Sequence, residues 1–225
     1  MSPLLQRGLI VSCQAEENGP FDNPESVAAF ARAAQIGGAV AVRVRGIENI
    51  RAVKKVIQLP IIGITKSVFS NGEVLITATI DDIEAIAQAG GNLAALDATH
   101  RVRPNGMDGP SMVVEVKRRV PIPLMADIAT FEEGIAASKA GADFIATTLS
   151  GYTEYTRKVR LDVPDFDLVG MLAKRLPGQV VAEGRFWTPE QLAYAMRLGA
   201  HAVVVGTAIS RPIEIVKRFV KAIQI

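Results

Sequence analysis

Two kinds of short buried strand alternate along this chain, and the alternation leaves few architectures open. One kind follows a proline-marked turn and ends on an ionisable residue. Pro60 leads into Ile61-Ile62-Gly63-Ile64-Thr65 and then Lys66, and Pro121 and Pro123 lead into Leu124-Met125-Ala126 and then Asp127. Pro177-Gly178 leads into Gln179-Val180-Val181-Ala182 and then Glu183. The other kind follows glycine: Gly37-Gly38 before Ala39 to Arg43, Gly90-Gly91 before Leu93 to Asp97, Gly141 before Phe144 to Thr147, and Gly199 before Ala202 to Val205. Continuous apolar runs of this length read as strands buried on both faces, the signature of a parallel sheet.

The glycine-led strands recur about every 50 to 60 residues with the proline-led ones between them, and Leu9 to Cys13 completes a set of eight. A fixed strand-plus-helix period is the first determinant of fold. The intervening segments carry helix signals. Asn23 before Pro24 reads as an N-cap with proline in the first turn, and apolar residues then run to Ile36, where glycine ends the helix. Thr130 with Glu133, and Thr188 with Gln191, fit capping boxes. Ile213, Val216, Val220 and Ile223 mark one face of a final helix. This pattern predicts an α/β fold, a single-domain (β/α)8 TIM barrel over residues 1–225, with a doubly wound open sheet as the alternative.

In such a barrel, chemistry is built at the carboxyl ends of the strands. The residues delivered there are Gln14, Arg43, Lys66, Asp97, Asp127, Thr147, Glu183 and the Gly206-Thr207 pair. Any one of them alone is as well explained by solvation or by pairing with a neighbour. Their convergence on one mouth points to a catalytic pocket. Glu183 is followed by Gly184-Arg185, and Val205 by Gly206-Thr207-Ala208. Loops after the seventh and eighth barrel strands often cradle phosphate, because glycine lets backbone N–H groups approach the anion. Arg185 would add a charge-assisted contact. A lysine beside other cations and a carboxylate suits proton abstraction next to a carbonyl, with Glu183 as partner acid or as holder of Lys66. The same lysine suits Schiff-base chemistry, as in an aldolase, and the residues leave both open.

Composition excludes several other classes. With 25 Lys and Arg against 23 Asp and Glu, dispersed along the chain, a nucleic-acid surface is not expected. One cysteine, Cys13, permits no intrachain disulfide, and its place in the first buried strand reads as structural. His100 and His201 are far apart, so no structural zinc site is expected, although carboxylates leave a magnesium site open. No signal peptide is legible from Met1 to Gly8, and no apolar stretch reaches the ~20 residues of a membrane span. A cytoplasmic protein with no membrane partner is expected.

Several motifs occur in order at the strand ends. They are Leu9-Ile10-Val11-Ser12-Cys13-Gln14, Arg43-Val44-Arg45-Gly46-Ile47, Gly63-Ile64-Thr65-Lys66, Asp97 to Pro104, Ala126-Asp127, Val181 to Arg185, and Val205 to Ile209. Together they resemble the N-acetylmannosamine-6-phosphate 2-epimerase family through essentially the whole chain. The resemblance implies interconversion of N-acetylmannosamine 6-phosphate and N-acetylglucosamine 6-phosphate in sialic acid or amino-sugar catabolism. It implies Lys66 as the acid/base residue at C2 and Glu183 as the second catalytic group. Gln14, Arg43 and Asp127 would surround the sugar, and Gly184, Arg185, Gly206, Thr207 and Arg211 the phosphate. Neither cofactor nor metal is implied. A homodimer is favoured, with Phe219 or Ile225 on the last helix as candidate contacts. A non-catalytic sensor of amino-sugar phosphates is the reading outside enzymology.

Overall fold

The computed structural model describes residues 4–70, 73–157 and 162–223; Ile225 lies outside the described residues. Within them the parallel strands are β1 (Gly8–Cys13), β2 (Ala41–Arg45), β3 (Ile61–Ile64), β4 (Leu93–Asp97), β5 (Leu124–Asp127), β6 (Phe144–Ala146), β7 (Val180–Glu183) and β8 (Ala202–Val205). They pair in chain order, and β8 returns to pair with β1 from Gly8↔Ala202 to Val11↔Val205. That last pairing closes the sheet and rules out the open, doubly wound alternative. The fold is a (β/α)8 barrel.

The outer helices are α1 (Pro24–Ile36), α2 (Ile47–Lys54), α3 (Ile80–Gln88), α4 (Gly109–Arg119), α5 (Phe131–Lys139), α6 (Phe166–Arg175) and α7 (Pro189–Arg197). After β8 come a single turn, α8 (Thr207–Ser210), and then α9 (Pro212–Ile223). The start signals work as the sequence predicts. Asn23 Oδ1 accepts from Ser26 N at 2.9 Å, and both the Thr130–Glu133 and Thr188–Gln191 capping boxes form. The helix-ending glycines Gly38, Gly90, Gly141 and Gly199 sit at φ between +86° and +104°, a region that other residues enter only at a cost.

Side chains alternate across each strand, so one set fills the barrel and the other faces the helices. Ile10, Ile62, Leu93, Met125, Val181 and Val204 belong to the interior cluster, while Val42, Val44, Leu96 and Ile145 pack outward. Each fully buried branched side chain contributes ~1.5–3 kcal/mol of transfer free energy, so an aliphatic core can stabilise the barrel with few aromatics. Gly63 marks a place where two helices come close to the sheet. A Cβ there would lie 2.4 Å from Ile86 Cγ2 and 2.9 Å from Ile50 Cδ1, so α2 and α3 press directly on β3.

Several strand boundaries differ by one or two residues from the sequence expectation, and the shift in β2 bears on the site. β2 begins at Ala41 instead of Ala39, because Gly38 to Val40 are spent leaving α1. Arg43 therefore lies in mid-strand, opposite Ser12 and Ile62, and Arg45 ends the strand with an ion pair to Asp22 at 3.0 Å. α9 also stands apart: none of its residues is buried, although its apolar periodicity is strong.

Candidate active site

A cavity of about 330 Å³ opens at the carboxyl ends of the strands. It is lined by Gln14 after β1, Arg43 of β2, Lys66 after β3, Glu183 of β7, Gly184 and Arg185 beyond it, Gly206 and Thr207 after β8, and Arg211. Nine of the ten site residues that the family resemblance implies line this one space. Asp127, the tenth, does not. It is fully buried behind Arg43, and its role in the geometry is to hold that residue.

The interior charges form a closed set of contacts. Arg43 Nη1 donates to Asp127 Oδ1 at 2.9 Å and Nη2 to Oδ2 at 2.5 Å, a two-pronged pairing that fixes the guanidinium plane. Arg43 Nη1 also reaches Glu183 Oε2 at 2.9 Å. Thr148 Oγ1 lies 2.8 Å from Asp127 Oδ1 and 3.0 Å from Glu183 Oε2. Burial disfavours the Arg43 charge, but Asp127 and Glu183 outweigh burial and raise its pKa above the ordinary arginine value.

Glu183 and Lys66 titrate away from their usual ranges in opposite directions. Burial raises the Glu183 carboxyl and the nearby Asp127 charge adds to it, against the lowering influence of Arg43, Thr148 and Lys66. Partial burial lowers the Lys66 amine, followed by repulsion from Arg43, Arg211 and Arg45, with Glu183 opposing. Lys66 as a whole residue nonetheless remains exposed at the open mouth. Burial is the larger influence on the amine, and the three arginines add to it. Lys66 is held by an antiparallel bridge to Ile76, and the returning segment passes through Thr77, a buried threonine at φ +46°. Thr77 Oγ1 accepts from Thr65 N at 3.2 Å, tying that uncommon conformation to the residue before the lysine.

The loops after β7 and β8 bend around the other side of the cavity. Arg185 adopts φ +64°, an αL conformation, and donates from Nε to Val163 O and from Nη1 to Ser150 O, both at 2.6 Å. Its guanidinium carbon lies 5.4 Å from the Tyr152 ring centroid. The arginine is thus a bracket for the loop after β6 as well as a positive charge at the cavity wall. Gly206 packs on β1, where a Cβ would come within 3.2 Å of Ser12 Cβ. Arg211 Nε donates to Gln14 O at 3.1 Å, and Gln14 Nε2 donates to Ser12 Oγ at 2.7 Å.

Two residues assigned to the mouth from the sequence are placed elsewhere. Asp97 does not line the cavity; it is buried and accepts from Thr99 N at 2.9 Å, from Thr99 Oγ1 at 2.6 Å and from Arg101. Thr147 points out of the barrel and exchanges hydrogen bonds with the Glu183 backbone, 3.0 Å each way. Its neighbour Thr148 faces inward instead. Strand alternation from the interior residue Ala146 is the signal that would have found Thr148. Ser12, Ile76, Tyr152, Phe186 and Trp187 also line the cavity, and the sequence reading missed them. Trp187 carries Arg218 of α9 over its ring at 4.3 Å.

Cys13 is buried, and burial pushes its thiol pKa up to about 12, so it is no nucleophile. His201 Nε2 lies 2.8 Å from Leu5 O, and the His100 backbone N–H donates to Glu133, so neither imidazole meets the cavity. Among the described residues no group of three or more His, Cys, Asp or Glu is arranged to hold a metal ion.

Comparison with known proteins gives the same geometry a lineage. The family described as "Putative N-acetylmannosamine-6-phosphate epimerase" matches residues 27–225. The chain belongs to this family. A relative from Caldanaerobacter subterraneus subsp. tengcongensis named "Putative N-acetylmannosamine-6-phosphate 2-epimerase" is 47% identical, covering 98% of this chain and 92% of its own. One of the same name from Clostridioides difficile is 45% identical over 96% of each. The solved N-acetylmannosamine-6-phosphate 2-epimerase from Clostridium perfringens superposes with a TM-score of 0.89 at 42% identity, covering 96% of this chain and 93% of that one. A thiamine phosphate pyrophosphorylase from Pyrococcus furiosus, at 15% identity and a TM-score of 0.62, shares the fold alone.

Proposed function

We propose that this chain is an N-acylglucosamine-6-phosphate 2-epimerase, interconverting N-acetylmannosamine 6-phosphate and N-acetylglucosamine 6-phosphate in cytoplasmic amino-sugar catabolism. The residues from 1 to 225 act as one catalytic barrel. The observation that carries this reading is the joint placement of Lys66 and Glu183 on one cavity, their pKa values moved toward each other by their surroundings.

The reaction requires that the C2 proton leave one face of the sugar and a proton return on the other. In the open-chain sugar C2 is next to the C1 aldehyde, so loss of the proton leaves an enolate whose charge rests on the C1 oxygen. Lys66 as the neutral amine accepts the C2 proton and becomes an ammonium. Glu183 acts from a second position, as the carboxylic acid that returns a proton or as a group that stabilises the developing charge. Gln14 and Arg43 face the sugar, with Asp127 holding Arg43 from behind. Gly184, Arg185, Gly206, Thr207 and Arg211 receive the phosphate, and substrate filling the mouth completes the desolvation of Lys66. A proton shuttle of this kind uses no cofactor.

The test is deuterium at C2. Product formed in deuterium oxide carries deuterium there, and Lys66→Met, similar in length, abolishes both turnover and exchange. A Lys66→Met protein that epimerises near the wild-type rate overturns the assignment. Borohydride added with substrate leaves the enzyme active if Lys66 is a proton carrier and inactivates it if a Schiff base forms.

A homodimer joined through α9 fits the exposure of its apolar face: Val216 is 59%, Phe219 72% and Ile223 78% accessible. Phe219→Glu should convert a dimer to a monomer in sedimentation velocity. Unchanged mass would reject α9 as the contact.

A further inference from the structure

One side chain inside the cavity touches both Asp127 and Glu183 and has no part in the reading above. Thr148 lies just past β6, half-buried, with its hydroxyl between Asp127 Oδ1 at 2.8 Å and Glu183 Oε2 at 3.0 Å. A hydroxyl has one hydrogen and can satisfy only one of these acceptors at a time. Arg43 Nη1 already serves the same two oxygens, at 2.9 Å each. Oε2 of Glu183 therefore has Arg43 as one donor and the Thr148 hydroxyl within reach as a second.

We propose that Thr148 is a positioning residue which, with Arg43, commits Glu183 Oε2 to the interior and leaves Oε1 as the oxygen that carries the proton toward substrate. The inference rests on Glu183 being the second catalytic group. While Glu183 is charged, the Thr148 hydrogen points to Oε2. When a proton sits on Oε1, the Oε2 charge is lost and the hydrogen turns to Asp127 Oδ1. No heavy atom moves, and the carboxylate stays aimed throughout. The total proton count changes only by the one exchanged between Oε1 and substrate or solvent.

The charged groups facing Glu183 are Arg43 from β2, Lys66 after β3 and Asp127 from β5, with Thr148 as the neutral donor beside them. Arg211 and Arg45 act on Lys66 from farther round the mouth, and the Arg185 guanidinium is turned to the Ser150 and Val163 carbonyls. Thr148 is the member of this set that can change donor direction without changing charge. Its hydrogen bond favours the ionised carboxylate, so removing it should shift Glu183 further upward.

Thr148→Val keeps the shape and removes the hydroxyl, and Thr148→Ser keeps the hydroxyl and removes the methyl. Thr148→Val is expected to lower kcat by about ten- to a hundredfold, the scale of a hydrogen bond to a charged group, with KM little changed. The limb of the pH–rate profile that titrates with Glu183 should move to higher pH. Thr148→Ser should restore both. A Thr148→Val enzyme with the wild-type pH profile overturns the proposal, as does a Thr148→Ser enzyme as impaired as Thr148→Val. Thr148→Ala gives the same readout if the valine variant does not fold. Failure of the underlying function shows differently, as a wild-type protein with no C2 exchange at all.

Discussion

Arg43 and Asp127 meet prong to prong inside the barrel, with side chains only 1% and 0% accessible. Two full charges so far from water are costly to place there, and their mutual attraction repays that cost only while both prongs are made. The pair sits directly beneath Glu183, so it governs stability and site geometry together.

Breaking the pair should therefore do two things. Asp127→Ala leaves the Arg43 charge buried and short of its main partner, and should destabilise the fold by ~3–5 kcal/mol in urea unfolding. Asp127→Asn keeps the shape and one acceptor oxygen, so it should cost less stability. Its turnover should still fall steeply, because Arg43 is freed to draw closer to Glu183. An Asp127→Asn enzyme with wild-type kcat would show that Arg43 needs no anchoring.

Phosphate recognition should be readable as a contrast between substrates. N-acetylmannosamine without its phosphate should turn over far more slowly, since Arg185, Arg211 and the Gly206 loop would face no anion. Arg185→Lys keeps a charge but cannot reproduce the two fixed contacts to Val163 and Ser150. It should weaken the phosphorylated substrate by ~1–3 kcal/mol in kcat/KM and also loosen the loop after β6. Equal turnover of both sugars would remove the phosphate assignment.

Salt should move the pH profile in a stated direction. The neutral Lys66 amine is the active form, so kcat/KM should rise as pH increases through its lowered pKa. Repulsion from Arg43, Arg211 and Arg45 helps set that value at a residue open to solvent, and added salt screens repulsion of this kind. Screening lets the amine hold its proton more easily. The rising limb should accordingly shift to higher pH in high salt. A limb that stays fixed would assign the titration to a group shielded from solvent.

Prolonged EDTA treatment should leave activity intact, because amine and carboxylate proton transfer needs no Lewis acid. Activity lost to EDTA and restored by magnesium would make Asp127 or Asp97 a metal ligand instead.

The eight-stranded barrel was legible because strand and helix repeat with fixed punctuation, and each glycine or proline marks a turn the backbone must make. Lys66, Asp127 and Glu183 were legible because a charge ending an apolar run stands out. Arg43 was found despite a two-residue error in the strand start, since shifting by two preserves the face on which a side chain lies. Thr147 was taken in place of Thr148 by the opposite error, a slip of one, which reverses the face. Tyr152 and Trp187 lie in loops with no period to read. The unburied state of α9 could not be read either, because an apolar helical stripe announces that something covers it without saying what.

Cys13 offers a use that its inert chemistry makes possible. It is the chain's single thiol, 1% accessible in a strand that closes the barrel against β8. A disulfide reagent can reach it only when β1 separates from its neighbours. The modification rate at low denaturant thus reports how often the barrel opens, a clock for unzipping that requires no added label. Substrate that bridges the β7 and β8 loops should slow that clock, making ligand occupancy measurable in an enzyme whose turnover has been abolished.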